Sequence, residues 1–127
     1  AALCLKHRKG KLSVLMITSR KTKRWILPKG WPIDGLEANA AAAQEAWEEA
    51  GVKAANINPE PLGSYDYDKR MDGGGIVSCA TQVFAVEVDH LEDSFPEAQE
   101  RKRKWVKPRE AAEMVDEPGL QAILQQF

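Results

Sequence analysis

Between Gly30 and Val52 the chain reads GWPIDGLEANAAAAQEAWEEAGV, with glutamates at 45, 48 and 49 just ahead of a glycine. Carboxylate oxygens are hard ligands of the kind that hold Mg2+. Residues three and four apart share a helix face, so the spacing predicts that Glu45, Glu48 and Glu49 project toward one side. Like charges at that spacing destabilise a solvated helix by about 0.2–0.5 kcal/mol per pair. The arrangement therefore helps folding only if a cation sits among the oxygens. It is either a metal site or an acidic surface.

The elements around this stretch are those of a helix laid on a sheet. AALCLKH and LSVLMITS read as two strands joined through a tight turn at Gly10. RWILPKG is a short strand stopped by Pro28, and residues 31–37 form a loop with Pro32 and Gly35. ANAAAAQEAWEEA is a helix, because alanine is the best helix former and Gly51 suits the position that closes it. EPLGSYDYDKR gives a strand, DGGG a flexible turn and IVSCATQVFAVEV a long strand. DHLEDSFPEAQERKR reads as a polar loop and KWV as a short strand, followed by helices in PREAAEMV and PGLQAILQQF. This order predicts an α+β fold, residues 1–127 forming one domain with the acidic helix packed on a mixed sheet.

A chain of 127 residues can bury a real core, and its 43% apolar and 29% charged residues suit a soluble protein. A net charge of −1 argues against a broad nucleic-acid-binding surface. The basic runs SRKTKR and RKRK are read mainly as solvated loop charges. Cys4 and Cys79 lie in apolar runs without partners at metal-ligand spacing, which predicts buried free thiols. No apolar run approaches the roughly 20 residues of a membrane span, and no signal peptide is visible. The cytoplasm is the expected compartment, and because the chain opens on a strand already under way, a few residues are expected to precede it.

Residues 30–52 resemble the signature of the Nudix hydrolases, G-x5-E-x7-R-E-U-x-E-E-x-G-U, with U a bulky aliphatic residue. Gly30, Glu45, Glu48, Glu49, Gly51 and Val52 match it, and Ala46 is a small residue at an aliphatic position. Leu36 stands where the signature has its first glutamate, and Gln44 where it has arginine. In the family that pair is expected to support the loop and helix. Losing both members together leaves no stranded charge, and Glu37 with Gln44 is a candidate neutral replacement. The stretches SRKTKRWILPKG and RKRKWVKPREA look like the branch that hydrolyses diphosphoinositol polyphosphates and diadenosine polyphosphates.

The resemblance implies a Nudix-type α/β/α sandwich and hydrolysis of a phosphoanhydride by a metal-activated water. Mg2+, or Mn2+ in its place, would be held by Glu45, Glu48, Glu49 and the carbonyl of Gly30, neutralising the diphosphate. Glu45 serves as ligand or as base, and Glu97 and Glu100 are further candidates for the base, each read first as a surface carboxylate. Ser19, Arg20, Lys29, Arg70 and Arg103 are the substrate-binding candidates, since arginine clamps phosphate oxygens and lysine acts as a point charge. Arg101 is read as a solvated cation. Trp31 is a candidate to stack on a base, while Trp25, Trp47 and Trp105 are read as core or interface aromatics. Dinucleoside polyphosphates and inositol pyrophosphates are the first substrates implied, ahead of RNA ends and oxidised nucleotides. The alternative is a domain that binds a nucleotide as a sensor without cleaving it.

Overall fold

Strand β2 (Lys11–Thr18) is apolar without alternation because both of its faces are covered. Val14 and Met16 point into one core, and Leu15 and Ile17 into the other. The same division holds in β1 (Ala2–Arg8), with Leu3 on one side and Ala2 and Cys4 on the other. In this computed structural model, which describes residues 1–127, the sheet runs β3-β2-β1-β6-β4. Here β3 is Trp25–Ile26, β4 is Val52–Ile57 and β6 is Ile76–Leu91. The first half of β6 pairs with β5 (Gly63–Arg70), and β7 (Arg103–Val106) pairs with β2. β1 and β6 are parallel and the other pairs antiparallel, so the sheet is mixed, as expected.

Helix α1 (Ala38–Ala50) covers one face with Ala42, Ala46 and Ala50. Their small side chains let it lie close to the strands. The other face carries α2 (Pro108–Met114) and α3 (Pro118–Leu124), which contribute Ala111, Ala112, Leu120, Ile123 and Leu124. The α/β/α layering is therefore as read from the sequence, and α1 has the expected limits. No helix is long and apolar enough to cross a membrane.

Two parts of the sequence reading need correction. β4 was not expected: VKAANI is largely exposed, lacks alternation and pairs with β6 through register shifts, so no pattern marks it. Cys79 is half-buried rather than buried, although both cysteines are free as expected. Trp25 and Trp105 pack against the two cores.

Gly51 closes α1 with φ +70°, and a Cβ there would lie 2.6 Å from the Glu92 carbonyl oxygen. Left-handed backbone strain adds to that clash. Gly51→Ala is expected to cost about 2 kcal/mol or more, read as a lower urea midpoint at unchanged slope. An unchanged midpoint would contradict this account of the helix end.

Candidate functional site

Chain geometry brings the acidic helix to the end of β3. Pro28 stops that strand, and the following Lys29–Gly30 segment runs against α1, with the Lys29 N–H donating to Glu49 Oε1 at 3.4 Å. Gly30 is needed here for space. A Cβ on it would sit 2.5 Å from Glu45 Oε1 and 2.7 Å from Oε2. Because the obstructing atoms end a flexible side chain, Gly30→Ala is expected to leave the unfolding midpoint nearly unchanged while displacing the Glu45 carboxylate. Activity should fall by about tenfold or more, a 1 Å misplacement being costly in an active site. Wild-type turnover in that variant would separate Gly30 from the site.

Glu45 and Glu49 line one cavity of about 470 Å3, together with Ser19, Arg20, Lys29 and Gly30. Six of the sequence candidates thus come together. Glu49 is only 4% exposed. Burial first, and then the neighbouring Glu45 carboxyl, push its pKa up to about 8, against the opposing pull of Arg101. Lys29 has its pKa lowered, mainly by burial and next by Arg24. Two carboxyls that resist simultaneous ionisation, in a polar cleft, form an oxygen donor set that a divalent cation would relieve.

Glu48 behaves differently. It accepts a hydrogen bond from Gln44 Nε2 at 3.2 Å, and no three acidic, histidine or cysteine side chains converge on one metal position. At about 100° of helix turn per residue, positions 48 and 49 fall on opposite sides of 45. Both lie within about 60° of it, on one side of the helix, with Glu45 and Glu49 lining the cavity and Glu48 held by Gln44. The proposed Glu37–Gln44 pair is corrected. Gln44 reaches one turn forward to Glu48, while Glu37 precedes the helix and makes no side-chain cap.

The segment between β6 and β7 supplies what the sequence reading placed at the surface. Glu97 lines the carboxylate cavity, and its N–H donates to the Glu48 carbonyl at 3.0 Å. Arg101 is no solvated cation: its side chain is 7% exposed. It donates to Glu97 Oε1 through Nη2 at 2.8 Å and Nε at 3.0 Å, and to the Thr18 carbonyl at 3.1 Å. It also lies 3.5 Å from Glu49. The available signal was the four-residue spacing of Glu97 and Arg101. Arg20 remains exposed at the rim, 3.7 Å from Glu97.

Two substrate-binding candidates lie elsewhere. Arg103 is spent on structure, donating to the carbonyls of Ala50 and Glu92 at 3.0 and 2.9 Å, with its guanidinium 4.9 Å from the Phe95 ring centroid. This corrects its assignment to the anion pocket, because it ties down the end of α1. Arg70 lines an adjoining groove with Arg20, Lys21 and Lys69, where Glu100 also sits. Trp31 is 54% exposed, with Lys69 Nζ 4.9 Å from its ring centroid. Leu36 is exposed on the wall of a second cavity that adjoins the first.

The NUDIX domain family model matches residues 1–127. The chain is 34% identical to Nudix hydrolase 13, mitochondrial, of Arabidopsis thaliana over 92% of its own length and 60% of that protein's. It is 28% identical to the mouse (Mus musculus) diphosphoinositol polyphosphate phosphohydrolase 3-alpha, covering 91% of this chain and 66% of that one. The chain thus spans about 60% of the length of the plant relatives. Among solved structures, a C. elegans Ap4A hydrolase superposes with a TM-score of 0.68 at 19% identity, covering 100% of this chain and 92% of that one. The NUDIX domain of Shewanella oneidensis NrtR, complexed with ADP ribose, gives 0.69 at 18% identity, over 98% and 82%. At those identities the likeness is one of fold.

Proposed function

This chain belongs to the Nudix family, and on that premise we propose that it is a metal-dependent hydrolase of a phosphoanhydride bond in a polyphosphorylated metabolite. The observation that carries this reading is the pairing of half-buried Glu45 with buried Glu49 beside Gly30, in a cleft rimmed by Arg20 and Lys29. Dinucleoside polyphosphates and diphosphoinositol polyphosphates lead the candidate substrates, matching the sequence resemblance and the names of similar proteins.

The residues present fit Mg2+, which takes oxygen ligands and keeps several waters, so a complete protein shell is not required. Mn2+ accepts the same donors. Glu45, Glu49 and the Gly30 carbonyl would hold the ion, with Glu48 joining them on release from Gln44. When bound, the cation neutralises diphosphate charge and acidifies a coordinated water. Arg101 keeps Glu49 in place, and Glu97 in turn orients Arg101. Ser19, Arg20 and Lys29 bind phosphate oxygens, and Lys69 and Arg70 extend that positive rim outward. Glu45, Glu49 and Glu97 line the cavity and are the carboxylates available to take the proton of the attacking water.

A sensor that binds without cleaving is the second reading, and the Gln44–Glu48 hydrogen bond is the observation that favours it. Phosphate release decides between them, measured with and without Mg2+ on diadenosine polyphosphates, an inositol pyrophosphate, nucleotide sugars and nucleoside triphosphates. The hydrolase reading expects Mg2+-dependent turnover of at least one, lost in Glu48→Gln. Tight binding of one compound with turnover of none would establish the sensor.

We read residues 1–127 as one domain, since both cores draw on β1, β2 and β6. The net charge of −1 disfavours nucleic acid as partner. Two free cysteines suit a reducing compartment such as the cytoplasm.

A further inference from the structure

Four cations line the carboxylate cavity: Arg20, Lys29, Lys69 and Arg101. They are held in two different ways. Both arginines lie against Glu97, Arg20 at 3.7 Å and Arg101 at 2.8 Å. Neither lysine takes part in an ion pair or in a side-chain hydrogen bond. Each rests instead on an aromatic ring, with Lys29 Nζ 4.6 Å from the Tyr67 centroid and Lys69 Nζ 4.9 Å from that of Trp31.

The two contacts cross between the same pair of segments. Side chains two apart on a strand share a face, which puts Tyr67 and Lys69 of β5 on one side of it. Lys29 and Trp31 have the same spacing on the segment that leaves β3, so each segment gives one cation and receives one. A ring attracts an ammonium through its quadrupole and brings no charge of its own. A carboxylate in the same place would repel a diphosphate and would have to be displaced by it. On a ring, each lysine keeps its charge and its three N–H donors for an anion. A lysine is otherwise a flexible point charge whose ordering subtracts from binding, and the ring contact imposes part of that order beforehand.

We propose that Tyr67 and Trp31 are positioning residues, which hold Lys29 and Lys69 at the carboxylate cavity as a pre-set pair of cations for the substrate's phosphates. The inference rests on the reading of that cavity as the phosphoanhydride site. It gives the two rings a role that does not depend on whether the diphosphate carries a nucleoside or an inositol.

Calorimetric titration with methylenediphosphonate and Mg2+ tests this, because that probe has no ring to stack and its P–C–P bridge is not hydrolysed. Tyr67→Leu and Trp31→Leu are each expected to weaken binding about fivefold. Tyr67→Phe and Trp31→Phe keep a ring and should stay within about twofold of wild type. In a Lys29→Met background Tyr67→Leu should cost nothing further, and likewise Trp31→Leu in Lys69→Met, since a ring that acts through its lysine has no effect without it. Rings that only support the fold would cost the same in both backgrounds, and that result overturns the proposal. So does wild-type affinity in both leucine variants, or no binding to wild type. Turnover adds a second readout: kcat/KM for diadenosine tetraphosphate and for an inositol pyrophosphate should fall by a similar factor in each leucine variant. A loss confined to the dinucleotide would assign the rings to a base and overturns the proposal. If no compound is turned over, the hydrolase reading fails, and the diphosphonate titration still decides this one. Trp31 is 54% exposed and outside both cores, so its variants are expected to fold even if those of Tyr67 do not, and circular dichroism checks this.

Discussion

Glu49→Gln is expected to lower Mg2+-dependent turnover by on the order of 10³-fold, because about 4 kcal/mol of charge stabilisation corresponds to that factor. The same substitution should make the metal-free protein more stable at alkaline pH. Glu49 is buried, and its folded pKa is raised from 4.5 to about 8. A carboxyl whose folded pKa is raised binds its proton more tightly in the folded state. Its contribution to stability is therefore fully present below about pH 4.5 and is lost as pH rises through about 8. Glutamine keeps the shape and cannot ionise, so this loss disappears.

Thermal unfolding in chelator across that pH window, for wild type and Glu49→Gln, checks the assignment. The wild-type curve should decline relative to the variant as pH rises. Added Mg2+ should restore wild type at the alkaline end and do little for the variant, since a ligand that binds only the folded state stabilises it. Parallel curves, with equal responses to Mg2+, would remove Glu49 from the metal site.

The second large effect is expected at Arg101, whose side chain is 7% exposed and whose guanidinium sits between Glu97 at 2.8 Å and Glu49 at 3.5 Å. Removing one partner of a buried pair leaves charge uncompensated, at a cost of about 3–5 kcal/mol. Arg101→Met keeps much of the side-chain volume, so the loss reports on charge and hydrogen bonds, including the one to the Thr18 carbonyl. A urea midpoint lowered to match about 3 kcal/mol is the expected result. Adding Glu97→Gln should recover part of it, because the stranded carboxylate is then gone, and the cycle measures the coupling. A midpoint within about 0.5 kcal/mol of wild type would return Arg101 to the solvated role that its basic run suggests.

These two predictions mark where reading the chain as a string succeeds and where it stops. Helix α1 is legible to its ends, because alanine-rich propensity and a glycine at the left-handed closing position are local properties. The apolar runs of β1, β2 and β6 are legible for a similar reason: burial on two faces leaves a signal in composition alone. β4 is not, because an exposed, bulged strand is defined by its neighbour β6 and carries no pattern of its own.

The glutamates belong to both kinds. That Glu45, Glu48 and Glu49 ride on one helix before Gly51 follows from sequence, since helical spacing is set within a few residues. Which two of them face the cavity depends on Lys29 and Gly30 arriving from β3, and on the segment carrying Glu97 and Arg101 folding over the end of the helix. Those contacts join residues some 15 to 52 positions apart along the chain. Helix periodicity holds no information about them. The sequence by itself determined the family resemblance, the layered fold and the supply of carboxylates. Only the tertiary structure decided that Glu45 and Glu49 pair, that Arg101 is buried between acids, that Arg103 closes the helix, and that Leu36 faces a cavity. Side-chain direction and burial are set by what packs across the cleft, and that is decided when distant segments meet.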